Sequence, residues 1–318
     1  MTDMDAAKNT ANNAANNAAN NAPLKSGLNM FGLAELHSGH AGMEKIVLQH
    51  RTGASADIYL HGGHVTAWRN AAGEELLFLS RQSAWAQHAP IRGGIPICWP
   101  QFSGQGPLPR HGFARLLEWE WVASEVREGD VSVTLRLRHN DFSLHLWPGH
   151  FELSLVVTLS SSSLQLTLSV LNTGDAPFDF QLALHSYFSV ADIRQAQVRG
   201  LQGASQLSLQ QPELPARISD AAALRFDQEI DAIFAHTGNA IFIDDEVAQR
   251  TMQIRKTAMD DVVVWNPWQE KALAMSDFGD DEYASMLCVE SGNILRTTQL
   301  LPGQDWQGKM ILHSCEKT

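Results

Sequence analysis

Two alternating segments place an imidazole and a carboxylate where they could exchange protons with a ligand. In residues 178–185, Phe178, Phe180, Leu182 and Leu184 share one face, which turns Asp179, Gln181 and His185 to the other. In residues 286–293, Leu287 and Val289 share one face and Glu290 takes the opposite one. Each residue alone reads as an ordinary hydrogen-bonded side chain. Facing one polar groove together, a His and a Glu form a general acid/base pair. Two further segments carry cations among glycines and aromatics. Ile91-Arg92-Gly93-Gly94-Ile95-Pro96-Ile97-Cys98-Trp99-Pro100-Gln101-Phe102 combines a guanidinium, two glycines that let backbone approach a ligand, and rings that could stack on a sugar face. Pro109-Arg110-His111-Gly112-Phe113-Ala114-Arg115 adds two more guanidiniums and an imidazole.

The elements that must position these groups are strands. Val131, Val133, Leu135 and Leu137 alternate with polar residues, as do Leu164, Leu166, Leu168 and Val170; Leu153, Leu155, Val157 and Leu159 line one face of a third run. Turn residues separate them: Glu128-Gly129-Asp130, residues 160–163, and Asn172-Thr173-Gly174-Asp175. Half-buried antiparallel strands are expected, with few short helices, one of them over residues 220–226. Strands do not alternate with helices, which argues against a parallel α/β fold. Two large packed sheets in one domain over residues 29–318 is the expected architecture. Residues 1–28 are a separate zone of low-complexity Ala/Asn closed by Pro23, expected to be disordered.

Composition excludes several classes. The chain has 318 residues, 44% hydrophobic and 18% charged, enough for a sizeable core. Its 23 Lys plus Arg against 35 Asp plus Glu give a net charge of −12, which opposes binding to nucleic acid or an anionic membrane surface. No apolar run approaches the ~18 residues of a membrane span, and no secretory signal pattern opens the chain. The three cysteines, Cys98, Cys288 and Cys315, are far apart and form no C-x-x-C. A soluble cytoplasmic protein is the simplest expectation. Gly104-Gln105-Gly106-Pro107 begins like a dinucleotide loop, but Pro107 and Pro109 prevent the helix that such a loop must open. His61 and His64 would point to opposite faces of a strand, so a metal pair is not expected there.

At this point the sequence resembles the hexose-6-phosphate mutarotases, also called glucose-6-phosphate 1-epimerases, of the galactose-mutarotase superfamily. The resemblance rests on Arg92-Gly93-Gly94-Ile95-Pro96, His111-Gly112-Phe113-Ala114-Arg115, His185-Ser186-Tyr187-Phe188, Trp265-Asn266-Pro267-Trp268 and Cys288-Val289-Glu290-Ser291-Gly292-Asn293, in that order. It implies an all-β, antiparallel β-supersandwich and an isomerase that needs neither metal nor cofactor. It implies His185 as general acid and Glu290 as general base, Asp231 on sugar hydroxyls, Arg92 and Arg115 on the phosphate, and His111 in the pocket. Arg110, Gln101 and Phe102 are counted with the substrate-binding residues. Two positions depart from the family pattern: Arg110 stands where a neutral Gln or Ser is common, and Ala232 where a basic residue often follows the aspartate.

The implied reaction interconverts the α and β anomers of a hexose 6-phosphate, glucose 6-phosphate first. The implied partner is that small molecule alone, handled by a monomer. Three other readings compete: an epimerase of unphosphorylated aldoses, a non-catalytic carbohydrate-binding sandwich, and a glycoside hydrolase. The last would use two carboxylates about 5–9.5 Å apart, whereas the strongest pair here is His with Glu.

Overall fold

A computed structural model describes residues 30–316; the Ala/Asn segment lies outside the described residues. The alternating runs become long antiparallel hairpins. Asp130–Arg138 pairs with Phe151–Ser160, which pairs with Ser163–Asn172, and Leu155 sits opposite Leu168 in register. Outward these strands continue to Glu120–Arg127. Inward they continue through Asp305–Glu316, Arg250–Thr257, Ala240–Asp245 and Ala196–Arg199 to Ala223–Arg225, completing a nine-stranded sheet.

An eight-stranded sheet packs against it. Its order is Arg217–Ile218, Ser205–Ser208, Ile230–Ala235, Asp261–Asn266, Met286–Leu300, Phe178–Leu184 and Ile97–Cys98, with Tyr187–Ser189 also paired to Met286–Leu300. A four-stranded sheet, Gly32–Ser38, Glu44–His50, Ser55–Tyr59 and His64–Arg69, closes one end. The inward residues of all three sheets belong to one hydrophobic cluster. Ile46 and Ile58 enter it from the four-stranded sheet, Leu155 and Leu168 from the nine-stranded sheet, and Phe180, Val264 and Val289 from the eight-stranded sheet. The fold is therefore the expected all-β antiparallel sandwich.

Among the described residues the two α-helices are six residues each, Asp141–Leu146 and Trp268–Leu273, and no helix is long and apolar enough to cross a membrane. The short helix expected over residues 220–226 is not formed. Ala223–Arg225 instead pairs with Ala196–Arg199. Seven residues cannot sustain a helix alone, whereas the open edge of Ala196–Arg199 offers backbone partners at once.

The same period of two gives the eight-stranded sheet a second face. Val262 and Val264 enter the main cluster while Val263 and Trp265 do not. Across that outer face, Ile233 is opposite Val263 and Val263 opposite Glu290. One row along, Asp231 is opposite Trp265, Trp265 opposite Cys288, and Cys288 opposite Tyr187. Leu155, wholly buried in the hairpin core, tests the packing. Leu155→Ala should cost about 2–5 kcal/mol, read as a lower denaturant midpoint with an unchanged slope.

Candidate active site

The outer face carries a cavity of about 250 Å³ whose lining includes His185, Glu290, Asp231, Arg92, Arg110, Arg115, His111 and Phe102. A larger cavity of about 310 Å³, lined by Gln206, Arg217 and Phe226 among others, holds no comparable acid/base pair. The first is the candidate active site on chemical grounds.

At its base His185 Nε2 lies 3.3 Å from Glu290 Oε1. The side chains are 8% and 2% exposed, so neither charge is solvated by bulk water. Burial pushes the imidazole well below its ordinary range, and the nearby guanidiniums of Arg115 and Arg92 push the same way. Burial pushes the Glu290 carboxyl well up, and Asp231 adds to that. Both groups are thus driven towards their neutral forms, a carboxylic acid beside an uncharged imidazole. Glu290 Oε2 and His185 Nδ1 are buried without a protein hydrogen-bond partner. Buried polar atoms are rarely left so.

Around the pair the side chains are held firmly. Tyr187 stacks on His185 with ring centres 4.7 Å apart and planes 8° from parallel, while Trp265 meets it edge-on at 6.2 Å. His111 also meets the His185 ring edge-on, at 5.3 Å. Its Nδ1 accepts the Ser103 backbone N–H at 3.3 Å and faces Cys98 Sγ at 3.2 Å. That leaves the proton of a neutral His111 on Nε2 as a donor, and burial keeps the ring neutral by holding it well below its ordinary range. The loop reaches this position through left-handed backbone at His111 and Gly112, with φ of 65° and 70°. A Cβ at Gly112 would meet the Trp99 carbonyl oxygen at 2.1 Å, so only glycine fits.

The cations differ in what already holds them. Arg92 forms a fork on Asp277, with Nε 3.1 Å from Oδ2 and Nη2 2.9 Å from Oδ2, and its Nη1 donates to the Tyr187 hydroxyl at 3.0 Å. Arg115 donates from Nη2 to the Arg110 carbonyl at 2.8 Å, and its buried Nε has no partner. Among the described residues neither Arg110 nor Arg115 forms an ion pair with a carboxylate. Asp231 lies 3.9 Å from Lys271 Nζ, which makes its shorter contact, 2.7 Å, with Glu229. Burial pushes the Asp231 carboxyl up to about 6, with Lys271 and Arg110 pulling it partly back.

The expected residues therefore come together, with one exception. Gln101 does not line the cavity: its amide donates to the Ser103 and Leu108 carbonyls and accepts the Leu108 N–H, so it braces the loop that carries Arg110 and His111. Sequence reasoning missed Lys271 and Met275, which reach the cavity from the helix Trp268–Leu273 and the turn after it. Lys271 supplies a cation beside Asp231 although the next residue, Ala232, is neutral. Trp265 was also missed, although its parity with Val263 would have found it. His61 and His64 each bond a backbone carbonyl, of Ala89 and Gly93. Among the described residues no group of three or more His, Cys, Asp or Glu is placed to hold a metal ion.

Residues 44–313 match the family described as aldose 1-epimerase. The chain belongs to that family. A protein from Cenchrus ciliaris, named as a candidate glucose-6-phosphate 1-epimerase, is 40% identical over 289 residues, covering 88% of this chain and 87% of the relative. A protein from Escherichia coli (strain K12) with the same name is 28% identical over 260 residues, 81% of this chain and 86% of its own. Among solved structures, a candidate mutarotase from Salmonella typhimurium superposes with a TM-score of 0.82 at 25% identity, covering 96% of this chain and all of that one. The protein is an epimerase with the mutarotase sandwich.

Asp231 gives this epimerase a signed pH dependence. Its carboxyl titrates higher in the fold than in the unfolded chain, so ionising it opposes folding. That penalty is absent below the unfolded carboxylate range and complete above about pH 6. Asp231→Asn removes it, so the variant should gain stability over the parent as pH rises from about 4 to about 7, by about 1–2 kcal/mol after solvent screening. Urea unfolding at about pH 4.5 and about pH 7.5 measures the gap, and a gap independent of pH would contradict a buried, strained carboxylate.

Proposed function

We propose that the protein interconverts the α and β anomers of a hexose 6-phosphate, glucose 6-phosphate first, by acid/base opening and closure of the ring. The observation that carries this reading is the buried His185–Glu290 pair, 3.3 Å apart at the base of a cavity lined by four cations, Arg92, Arg110, Arg115 and Lys271.

With substrate bound the step starts from the charged forms of the pair: Glu290 as carboxylate removes the proton from O1, the C1–O5 bond breaks, and His185 as imidazolium gives its proton to O5. Rotation about C1–C2 turns the other face of the aldehyde towards O5. In closure O5 attacks C1, its proton returns to His185, and the proton on Glu290 goes to O1. The two groups end as they began, so the cycle consumes no electron and releases no leaving group. Burial favours protonated Glu290 and neutral His185, which is the state the pair holds while the sugar is open. That preference stabilises the intermediate relative to the charged starting pair.

The remaining residues take supporting roles. Asp231 accepts from sugar hydroxyls and the His111 Nε2–H donates to a sugar oxygen, while Phe102 supplies an apolar wall. The phosphate is met by Arg115 and Arg110, whose guanidiniums have no carboxylate partner among the described residues and together balance a dianion. We read the enzyme as a monomer, and the continuous core within residues 30–316 supports the single domain expected over residues 29–318. A sugar phosphate does not cross a bilayer unaided, which supports a cytoplasmic place of work.

Anomer exchange measured by NMR on glucose 6-phosphate and on glucose, side by side, tests the assignment. Glu290→Gln and His185→Ala should each lose about 10²- to 10⁴-fold in rate while remaining folded; near-parental exchange in either variant would sink the acid/base pair. Arg115→Ala should lower kcat/KM for the phosphosugar about 10- to 150-fold, from the loss of a charge-assisted hydrogen bond. The loss on glucose should be far smaller. Equal losses on the two sugars would move the reading to an epimerase of unphosphorylated aldoses.

A further inference from the structure

We propose that Lys271 is a specificity-determining residue: its ammonium and the Asp231 carboxylate together grip one ring hydroxyl of the sugar, the ammonium donating to the hydroxyl oxygen and the carboxylate accepting the hydroxyl proton. This rests on the reading above, in which Asp231 meets sugar hydroxyls, and adds a second prong from a different element.

Two anchors set the pair. Glu229 and Asp231 flank Ile230 at the start of the strand Ile230–Ala235, so alternation sends both carboxylates to one face while Ile230 and Ala232 turn to the core. Lys271 Nζ donates to Glu229 Oε1 at 2.7 Å and stops 3.9 Å from Asp231 Oδ2. The helix Trp268–Leu273 that carries Lys271 is tied down by wholly buried Asn266. The Asn266 Oδ1 accepts the Trp268 backbone N–H at 2.9 Å, and its Nδ2 donates to the carbonyls of Tyr283 and Met286 at 2.8 and 2.9 Å. The next residue after Lys271, Ala272, is buried in a cluster with Trp265 and Tyr187, two of the rings that pack His185. The ammonium is therefore placed relative to the same layer that holds the acid/base pair.

The gap between the two charges suits a hydroxyl. At 3.9 Å an ammonium and a carboxylate are beyond direct hydrogen-bond reach, and Glu229 takes one of the three Nζ donors. Both side chains line the cavity, and that of Asp231 is only 14% exposed, so water solvates its carboxylate poorly. Burial pushes this carboxyl up to about 6 and Lys271 pulls it back, which leaves an acceptor beside a donor at neutral pH. Of the groups on a hexose 6-phosphate, only a hydroxyl both donates and accepts; the ring oxygen and the phosphate dianion only accept. A phosphate is also disfavoured here by charge, because Glu229 and Asp231 flank the single ammonium, whereas Arg110 and Arg115 have no carboxylate partner among the described residues.

The test is a binding cycle between side chain and hydroxyl. Calorimetry gives Kd for glucose 6-phosphate and for the three deoxy analogues lacking O2, O3 or O4, on the parent and on Lys271→Met. The Lys271 side chain is 38% exposed, so this variant should fold as the parent does. The parent should bind one of the three analogues about 10- to 100-fold more weakly than glucose 6-phosphate, the cost of leaving a charged prong unmatched. Lys271→Met should weaken glucose 6-phosphate about 10-fold yet leave that one analogue within about twofold of the parent, because the hydroxyl that Lys271 reads is already gone. Glu229→Gln frees the ammonium to close on Asp231 and should weaken recognition of the same hydroxyl. Equal losses on glucose 6-phosphate and all three analogues would overturn the proposal, as would no loss at all. An equal loss in the binding of inorganic phosphate would make Lys271 a phosphate ligand instead. Because the readout is equilibrium binding, a parent that binds these sugars without exchanging their anomers defeats the epimerase reading alone, and the same constants still decide the hydroxyl grip. A parent that binds none of the four sugars defeats both.

Discussion

Keeping Glu290 and His185 side by side out of water is the constraint that the rest of the site obeys. An isolated carboxylate at that depth would cost several kcal/mol in lost hydration, and so would an imidazolium. The protein does not offset this with a permanent ion pair. It holds the two groups at 3.3 Å with both driven towards neutrality, the arrangement that the proposed proton exchange with a sugar requires of them. Such a pair works only if neither ring nor carboxyl can turn away to find another partner. Hence the rigid setting: Glu290 projects from the central strand Met286–Leu300, and His185 follows directly on Phe178–Leu184, its neighbour in the sheet. Aromatic rings pack His185 on several sides.

Charge is arranged on a second scale. The chain carries −12 overall, so its long-range field repels an anion. Of the four cations that line the cavity, Arg92 is paired with Asp277 and Lys271 with Glu229, which leaves Arg110 and Arg115 without a carboxylate partner among the described residues beside Asp231 and a Glu290 driven towards its neutral form. Local excess positive charge in a partly shielded space outweighs a distant negative field, because exposed charges are screened over about 8–10 Å. The guanidiniums of Arg115, Arg92 and Arg110 also depress the basicity of His185, so an anion bound among them would relieve that effect and couple occupancy of the cavity to the state of the imidazole.

What the sequence disclosed follows from what is local. Alternation is a property of a few consecutive residues, so the hairpins and the faces of His185 and Glu290 could be read directly. The motif glycines reported tight backbone, and Gly112 does sit in a left-handed turn against Trp99. Contacts made across the chain left no such trace. Lys271 stands 40 residues after Asp231 on a helix of six residues with no motif of its own. Asp277 meets Arg92 across 185 residues. Gln101 shows the reverse error: a polar residue beside a site motif was read as a ligand, although its amide is spent bracing the loop. The misread helix at residues 220–226 has the same origin, because a free strand edge elsewhere in the chain decided its conformation.

These observations divide the cavity by the kind of element that builds it. His185, Glu290 and Asp231 stand on or directly beside strands of one sheet, locked by hydrogen bonds on both sides. Arg110, His111 and Arg115 stand on or beside one loop, and Lys271 and Met275 on a short helix and the turn after it. Strand positions suit groups that must be right to a fraction of an ångström, since moving one requires moving the sheet. Loop positions suit groups that select a substrate, since a loop can change length and charge without disturbing the core. Arg110 illustrates the second kind: an exposed cation set on its own loop, with Gln101 fixing the loop and not the side chain. Arg92 bridges the two kinds of element, with its fork on Asp277 and its Nη1 on the hydroxyl of Tyr187, the ring stacked on His185.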